Sequence, residues 1–426
     1  MKKIVVIGGG WAGCATAISA KKAGANVTLI ERTDMLLGLG NVGGIMRNNG
    51  RYTASEECIL LGGREIFEIT DMCSRHKNID FPGHKHASLY DVNIIEAFVR
   101  RKLEDMNIKI LFKSRVVDVN LNGSKIEAVV LEDGKTIKAD SFIETTGSTG
   151  SMGNCLKYGN GCAMCVLRCP SFGPRVSITQ KCGLKDIIGK RNDGSYGAFS
   201  GSVKLNKESL SEEIRNELNK NGLVVVPLPK EEINHGKLDI KVCQQYALDE
   251  FAKNLILLDT GHAKLMVPFY PLEKLRKIKG FENARYEDPY SGGIGNSIRY
   301  LSVAKRDNSL KVKGIDNLFV AGEKSGFYVG HTEAIVTGYL AGHNSVRNCI
   351  GIPLLNLPRN IAIGDLIAYG NEILNNEESD KVKITFAGSI YFERMKKLGL
   401  YTLDKDYLRE KISKLGLINI YDEKIV

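Results

Sequence analysis

The chain has 426 residues, 43% hydrophobic and 25% charged, which is too long for one small core and ordinary for a globular protein. No apolar run reaches the roughly 20 residues of a membrane-spanning helix, and 10 cysteines in such a length do not make a disulfide scaffold. The formal net charge is +10, and residues 155–310 carry 24 Lys and Arg against 17 Asp and Glu, a balance that suits an anionic ligand or nucleic acid as well as a lysine-rich solvated surface.

Residues 2–7 form a short β-branched run ended by glycine, which predicts a buried strand. Met1-Lys2-Lys3 ahead of Ile4 to Ile7 faintly mimics an export signal, but three glycines interrupt it, so the expected location is the reducing cytoplasm. Ala12 to Ala23 predicts a helix of small residues, and Val27 to Ile30 the next strand, ending at Glu31. A glycine-rich stretch, Gly38 to Gly44, follows. A helix is expected from about Val92 to Met106, then a β-meander from strands at 109–112, 116–121, 126–131 and 136–138, turning at Asp133-Gly134. Phe142 to Gly147 closes a first unit, 1–154. Residues 155–310 predict an inserted α+β domain, cysteine-rich at its start, with a charged helix at Glu208–Asn221 and a basic run at Lys274–Lys279. Residues 311–350 return to the first fold with a strand at Asn317–Gly322 and a helix from Thr332 to Arg347, and residues 351–426 predict a helical C-terminal unit.

Gly8-Gly9-Gly10-Trp11-Ala12-Gly13 matches G-x-G-x-x-G between a strand and a helix. Gly8 permits the tight turn, Gly10 lets backbone approach a pyrophosphate, and Gly13 allows close helix–strand packing. The helix N-terminus then offers free N–H groups to phosphate, and Glu31, with Arg32 beside it, stands where a carboxylate accepts ribose hydroxyls. Trp11 reads as a packing residue. Two later segments have the form that completes a flavin site: Glu144-Thr145-Thr146-Gly147 at a strand end, and Phe319-Val320-Ala321-Gly322-Glu323 leading to a glycine-rich turn and helix. A helix N-terminus there favours negative charge on a reduced flavin. The expected fold is therefore an α/β, FAD-binding Rossmann-type, glutathione-reductase-like domain with an inserted domain and a helical tail. No second strand–G-x-G-x-x-G–helix unit for NAD(P)H is present. Cofactor contacts are expected from Gly8, Gly10, Gly13, Glu31, Arg32, Gly43, Gly44, Val116, Thr146, Gly147, Gly322, Glu323, Gly330 and Ala334.

With these residues in view, the chain resembles the GidA/TrmFO group of FAD-dependent RNA-uridine-modifying proteins. Gly8 to Gly13 followed by Cys14 is similar to the family start, and Asn41 with Gly43-Gly44 to its next loop, without the cysteine the family carries there. The longest similarity runs through Leu275-Arg276, Ile278, Gly280, Glu282-Asn283-Ala284 and Leu318 to Glu323. It continues through Gly326, Gly330, Glu333-Ala334, Gly338 and Ala341-Gly342-His343-Asn344. Glu323 stands where the family typically has glutamine. Leu357-Pro358-Arg359, Ala362, Gly364, Leu366, Tyr369, Ile384 and Phe386 resemble the TrmFO tail, and the similarity covers about two thirds of the chain. The resemblance implies tRNA or rRNA as substrate, with methylenetetrahydrofolate and NAD(P)H as co-substrates.

The cysteine cluster Cys155, Cys162, Cys165, Cys169-Pro170 and, further on, Cys182 leaves three readings open. By resemblance, Cys162 is the nucleophile that attacks carbon 6 of a uracil, activated by Arg168 or Arg175. By spacing, Cys162-x2-Cys165-x3-Cys169-Pro170 is the latter part of a ferredoxin ligand run, so Cys155 or Cys182 completes a 4Fe–4S site, or the same thiolates hold zinc. The third reading is a set of buried free thiols. The cluster supports the rival function, a small-molecule flavin oxidoreductase relaying electrons through a cysteine-bound cluster; a flavin-dependent redox sensor is a weaker third. His331 is a candidate for orienting substrate or flavin, with Thr332 as helix N-cap. His84 and His86 read as surface histidines around a Pro82-Gly83 loop, and Lys274–Lys279 as a solvated face able to meet RNA phosphates. A homodimer is expected only from its commonness.

Overall fold

The computed structural model describes residues 1–147, 175–189, 198–199, 202–233, 235–236, 248–267, 270–287, 298–299, 301–377, 379 and 382–426. The chain opens with β1 (Lys3–Ile7), α1 (Trp11–Lys22) and β2 (Asn26–Ile30). Ile4 and Val6 enter one core while Val5 and Ile7 enter another, so β1 is buried on both faces, as an interior parallel strand requires. A single helical turn, α2 (Gly40–Gly43), leads to β3 (Ile45–Met46), α3 (Gly50–Leu60), α4 (Glu65–Met72) and the hairpin β4 (Ser74–Phe81) and β5 (His84–Tyr90). Between residues 45 and 90 only a Pro82-Gly83 loop is expected from the sequence, and here these residues hold two helices and a hairpin. Next come α5 (Ile95–Asp105), β6 (Lys109–Leu111), β7 (Val116–Asn122), β8 (Lys125–Leu131), β9 (Thr136–Lys138) and β10 (Ser141–Glu144).

The expected four-piece meander divides. β6 joins the main sheet beside β2, and only β7, β8 and β9 make an antiparallel sheet, with Asp133-Gly134 at its second turn. The inserted region contains α6 (Ile178–Lys181), β11 (Ile187–Ile188), β12 (Ala198–Phe199), β13 (Val203–Leu205), α7 (Glu212–Asn221), β14 (Leu223–Pro227), α8 (Asp249–Lys253), β15 (Asn254–Asp259), β16 (Ala263–Leu265), α9 (Leu272–Leu275), β17 (Ile298–Arg299) and β18 (Ser302–Val303). Its sheet, β13-β16-β15-β14, packs on α7 through Ile214 and Leu218, and on α9 and the turn after it through Leu275 and Ile278. The Ser211 hydroxyl caps α7, and left-handed Gly222 ends it.

β19 (Leu318–Val320) and α10 (His331–Ile350) complete the first fold, and α11 (Ala362–Asn375), α12 (Ser389–Lys397) and α13 (Lys405–Lys414) follow. The main sheet has the order β19-β10-β1-β2-β6 and is parallel throughout. The architecture is thus the expected Rossmann-type α/β fold with an inserted region and a helical C-terminal region.

Two contacts hold these parts in register. α1 and α10 cross so closely that a Cβ on Gly338 would lie 2.5 Å from the Ala12 carbonyl oxygen, and the Ser19 hydroxyl donates to Tyr339 O at 2.7 Å. The C-terminal helices dock through Glu57 of α3, which accepts the N–H groups of Ala362 and Ile363 at 2.8 and 3.0 Å and so caps α11 from outside its own segment. Burial pushes the Glu57 carboxyl up to about 7. Among the described residues, no helix is long and apolar enough to cross a membrane.

Candidate functional site

The glycine turn sits between β1 and α1 at the carboxyl edge of the parallel sheet, where ligands of open α/β sheets bind. Gly8 has φ +107°, and a Cβ on it would lie 2.7 Å from the Thr145 carbonyl oxygen. A Cβ on Gly13 would overlap the Gly8 carbonyl oxygen, while one on Gly10 would meet nothing within 4 Å. The three glycines therefore have different tasks. Gly8 and Gly13 are packed on protein, and Gly10 borders open space at the head of α1, for which no side chain provides a cap. Thr145 steadies the turn by donating from its hydroxyl to Gly8 O at 2.6 Å and Ile7 O at 3.0 Å.

Glu31 closes the turn from β2. One carboxylate oxygen accepts Gly9 N–H at 2.7 Å, and the other accepts Thr33 N–H at 2.9 Å and its hydroxyl at 3.0 Å. These bonds leave a lone pair on the first of these oxygens for a ribose hydroxyl. Arg32 lies next to it in the chain. Val116 is buried at the start of β7 with Ile7 and Ile30.

A second helix start lies beside the first. Gly322 rests against Ala12, and its N–H donates to the Thr337 hydroxyl of α10 at 2.9 Å. α10 begins at His331 with Gly330 as its N-cap and no side-chain cap, so the expectation that Thr332 caps it is corrected. The Thr332 hydroxyl is instead buried in the first turn without a hydrogen-bond partner among the described residues. Ala334 is half-buried in the same turn, and Glu323 half-buried in a short turn before it. An open Gly10, two uncapped helix starts side by side and an orphaned hydroxyl fit a dinucleotide diphosphate with an electron-accepting ring system.

His331 stands at the junction of this cleft with the Gly38–Gly44 loop. Its ring packs 5.9 Å from Trp11 and 6.0 Å from Tyr90, and a Cβ on Gly43 would overlap it. Trp11 is buried and meets Tyr90 edge-on, in agreement with a packing role. The Tyr90 hydroxyl donates to Gly40 O at 2.6 Å, tying the loop down.

Below the α10 start lie buried charges that patterning does not reveal. Glu333 is fully buried, paired with Arg51 at 3.1 Å, and accepts the Phe386 N–H at 2.8 Å. Arg51 also donates to Asn48, whose amide meets His84 Nδ1 at 2.8 Å. His84 is buried, not a surface residue, because the hairpin turn folds it inward against Phe81. Burial, with Arg51 and Lys383 nearby, pushes its pKa down to about 3.

On the other side, Lys324 is buried against Asp186 at 2.5 Å and Glu144 at 3.6 Å. Asp186 also accepts hydroxyls from Ser177, Thr179 and Ser302, and despite burial Lys324 holds its carboxyl down at about 2. Arg175 donates to the Thr146 hydroxyl at 3.1 Å, so this cluster grips Thr146, whose neighbour Gly147 has φ +67°. None of Arg51, Lys324 and Asp186 stood out in the sequence. Arg175 did, as a neighbour for the cysteines.

Cys155, Cys162, Cys165 and Cys169 lie outside the described residues. Cys182 is half-buried, and burial pushes its thiol up to about 12, which does not favour a thiolate. Among the described residues no group of three or more His, Cys, Asp or Glu is placed to hold a metal ion. Of the basic run, Lys274 pairs with Glu232 at 3.2 Å, and Leu275 and Ile278 face the inserted core.

The sequence matches the family described as "Glucose inhibited division protein A" over residues 3–254 and 264–353. It is 22% identical over 474 aligned positions to a tRNA uridine 5-carboxymethylaminomethyl modification enzyme MnmG of Chlorobium phaeovibrioides, covering 97% of this chain and 75% of that one. A methylenetetrahydrofolate–tRNA-(uracil-5-)-methyltransferase TrmFO of Caldicellulosiruptor bescii is 36% identical over 97 residues, 22% of this chain and 21% of that one. Among solved structures, GidA of Aquifex aeolicus in one crystal form superposes with a TM-score of 0.65 at 17% identity, covering 97% of this chain and 76% of that chain. A second crystal form gives 0.62, at 17% identity and over 97% and 78% of the two chains. The chain belongs to the glucose inhibited division protein A family.

Proposed function

We propose that this member of the family binds FAD across the starts of α1 and α10 and uses it to modify carbon 5 of a uridine in tRNA. The observation that carries the reading is the Gly8–Gly13 turn, closed on protein at Gly8 and Gly13 and open at Gly10 beside a second uncapped helix start. The relatives' names support the substrate, since both print position 5 of a tRNA uridine or uracil. When bound, FAD supplies two-electron redox chemistry to a folate-derived carbon.

The chain's own residues then have separable tasks. First-turn amides of α1 hold the diphosphate, and Glu31 accepts the ribose hydroxyls. First-turn amides of α10 and the Thr332 hydroxyl hold the ring where negative charge develops. His331, packed against the Gly40–Gly44 loop, would orient substrate beside the bound ring. Cys162 is the nucleophile at carbon 6 of the uracil in this reading, and NAD(P)H the electron source. A cysteine-bound cluster has no support from the relatives or from the described residues.

The test is to purify the full chain, quantify bound flavin and iron, and incubate it with unmodified tRNA, methylenetetrahydrofolate and NADPH. A new mass at carbon 5 of one uridine, abolished by Cys162→Ala, is expected. Flavin that is retained while tRNA and rRNA fragments both stay unmodified would remove the substrate reading, and a chain that never takes up flavin would remove the whole.

A further inference from the structure

The inserted sheet meets the Gly40–Gly44 loop through two lysines. Lys204 of β13 and Lys264 of β16 are register partners, so their side chains leave one face of the sheet side by side. Like charges directly opposed are destabilising in a sheet. Lys264 is also buried, at 6% exposure, with no carboxylate paired to it among the described residues. Burial and the Lys204 charge push its amine down to about 7.

An uncompensated buried amine is costly, and an apolar residue at the same place would serve the sheet better. What the two side chains do hold is the loop. Lys204 donates to Asn41 O at 2.9 Å. Lys264 donates to Val42 O at 2.9 Å and to the Ser202 hydroxyl at 2.6 Å. The residue after Val42 is Gly43, which is pressed on the His331 ring.

We propose that Lys264, seconded by Lys204, is a positioning residue that clamps the Gly40–Gly44 loop onto His331 from the inserted sheet and so sets the shape of the cleft beside the α10 start. A shift of the inserted sheet then moves the loop with it. The clamp rests on geometry alone, and its effect on flavin chemistry rests on the function proposed above.

The experiment is amide hydrogen exchange on the full chain, read over residues 38–46, with and without FAD, for Lys264→Met, Lys264→Gln and Lys204→Met. Lys264→Met should raise exchange in this loop about tenfold while β1 and α1 stay as protected as before. Gln, one bond shorter but still a donor, should restore part of the protection. Lys204→Met, at a half-buried site, should give about threefold; it decides the question by itself if Lys264→Met does not fold. In FAD-loaded protein, Lys264→Met should keep its flavin, shift the flavin absorption band and lower kcat without raising the KM for tRNA.

Unchanged exchange over 38–46 would overturn the clamp. So would exchange that rises across the whole chain, or a Gln variant no better than Met. Should the wild-type chain refuse FAD, the proposed function fails, yet exchange in the free chain still decides the role of Lys264.

Discussion

At the Gly8–Gly13 end, the cleft is shaped almost entirely by backbone: missing side chains, a φ of +107° at Gly8 and an open helix start at Gly10. Around the α10 start it is shaped by buried charges, Arg51 with Glu333, Lys324 with Asp186 and Glu144, and Lys264 on a carbonyl. In the proposed function the backbone end serves an invariant group, a diphosphate, with groups that cannot be mispaired. The charged end gathers residues from across the chain, so its shape depends on the inserted and C-terminal regions being docked. Buried charges give such docking a sharp geometric requirement, since a partner lost leaves a bare ion in the interior.

The two ends should therefore break differently. Glu333→Ala strands the Arg51 guanidinium and is expected to cost about 3–5 kcal/mol in urea unfolding. A loss below about 1 kcal/mol would show that the charges do not hold this end. Gly13→Ala forces a methyl into the Gly8 carbonyl and is expected to cost about 2–3 kcal/mol, with FAD binding lost. His84 is one contributor to the acid side of the stability profile. Its folded pKa of about 3 lies below the usual 6.5, so below pH 6.5 the unfolded chain takes up a proton that the folded one refuses. His84 by itself lowers stability by up to about 1.4 kcal/mol per pH unit between 6.5 and 3, with no contribution above 6.5, while the raised Glu57 carboxyl works in the opposite direction between 4.5 and 7. In urea titrations from pH 6 to 4, His84→Gln should lose less stability, or gain more, per pH unit than the wild-type chain does. Gly10→Ala gives the smallest effect on the fold, within about 0.5 kcal/mol, yet should weaken FAD binding at least tenfold by titration. If it also unfolds the chain, the distinction between packed and open glycines is lost.

This difference also explains what could be read in advance. β1, α1 and β2 fell within a residue or two of expectation because a β-branched run, a small-residue helix and a glycine turn are local signals. The same holds for α10, which starts one residue before the expected helix. The hairpin of β4 and β5 was missed because its faces are irregular: three register shifts interrupt the alternation that marks a strand. Lys264 sits between Ala263 and Leu265, where alternation makes a lysine read as solvent-facing; only a carbonyl more than two hundred positions earlier shows otherwise. Glu57 is equally silent, since the helix it caps begins at Ala362. A charge whose partner is remote leaves no pattern in the sequence around it.

The crossing of α1 over α10 sets an order of events during synthesis. β19 must slide in beside β10, and Gly338 must seat on Ala12, before the nucleotide fold is whole. At roughly 5–20 residues per second, a ribosome needs about 10–40 s to deliver the stretch from Gly147 to Gly342. For that interval the glycine turn is already made but has no second helix beside it. Nascent chains must stay soluble through this wait, and the coenzyme can be fully enclosed only after it.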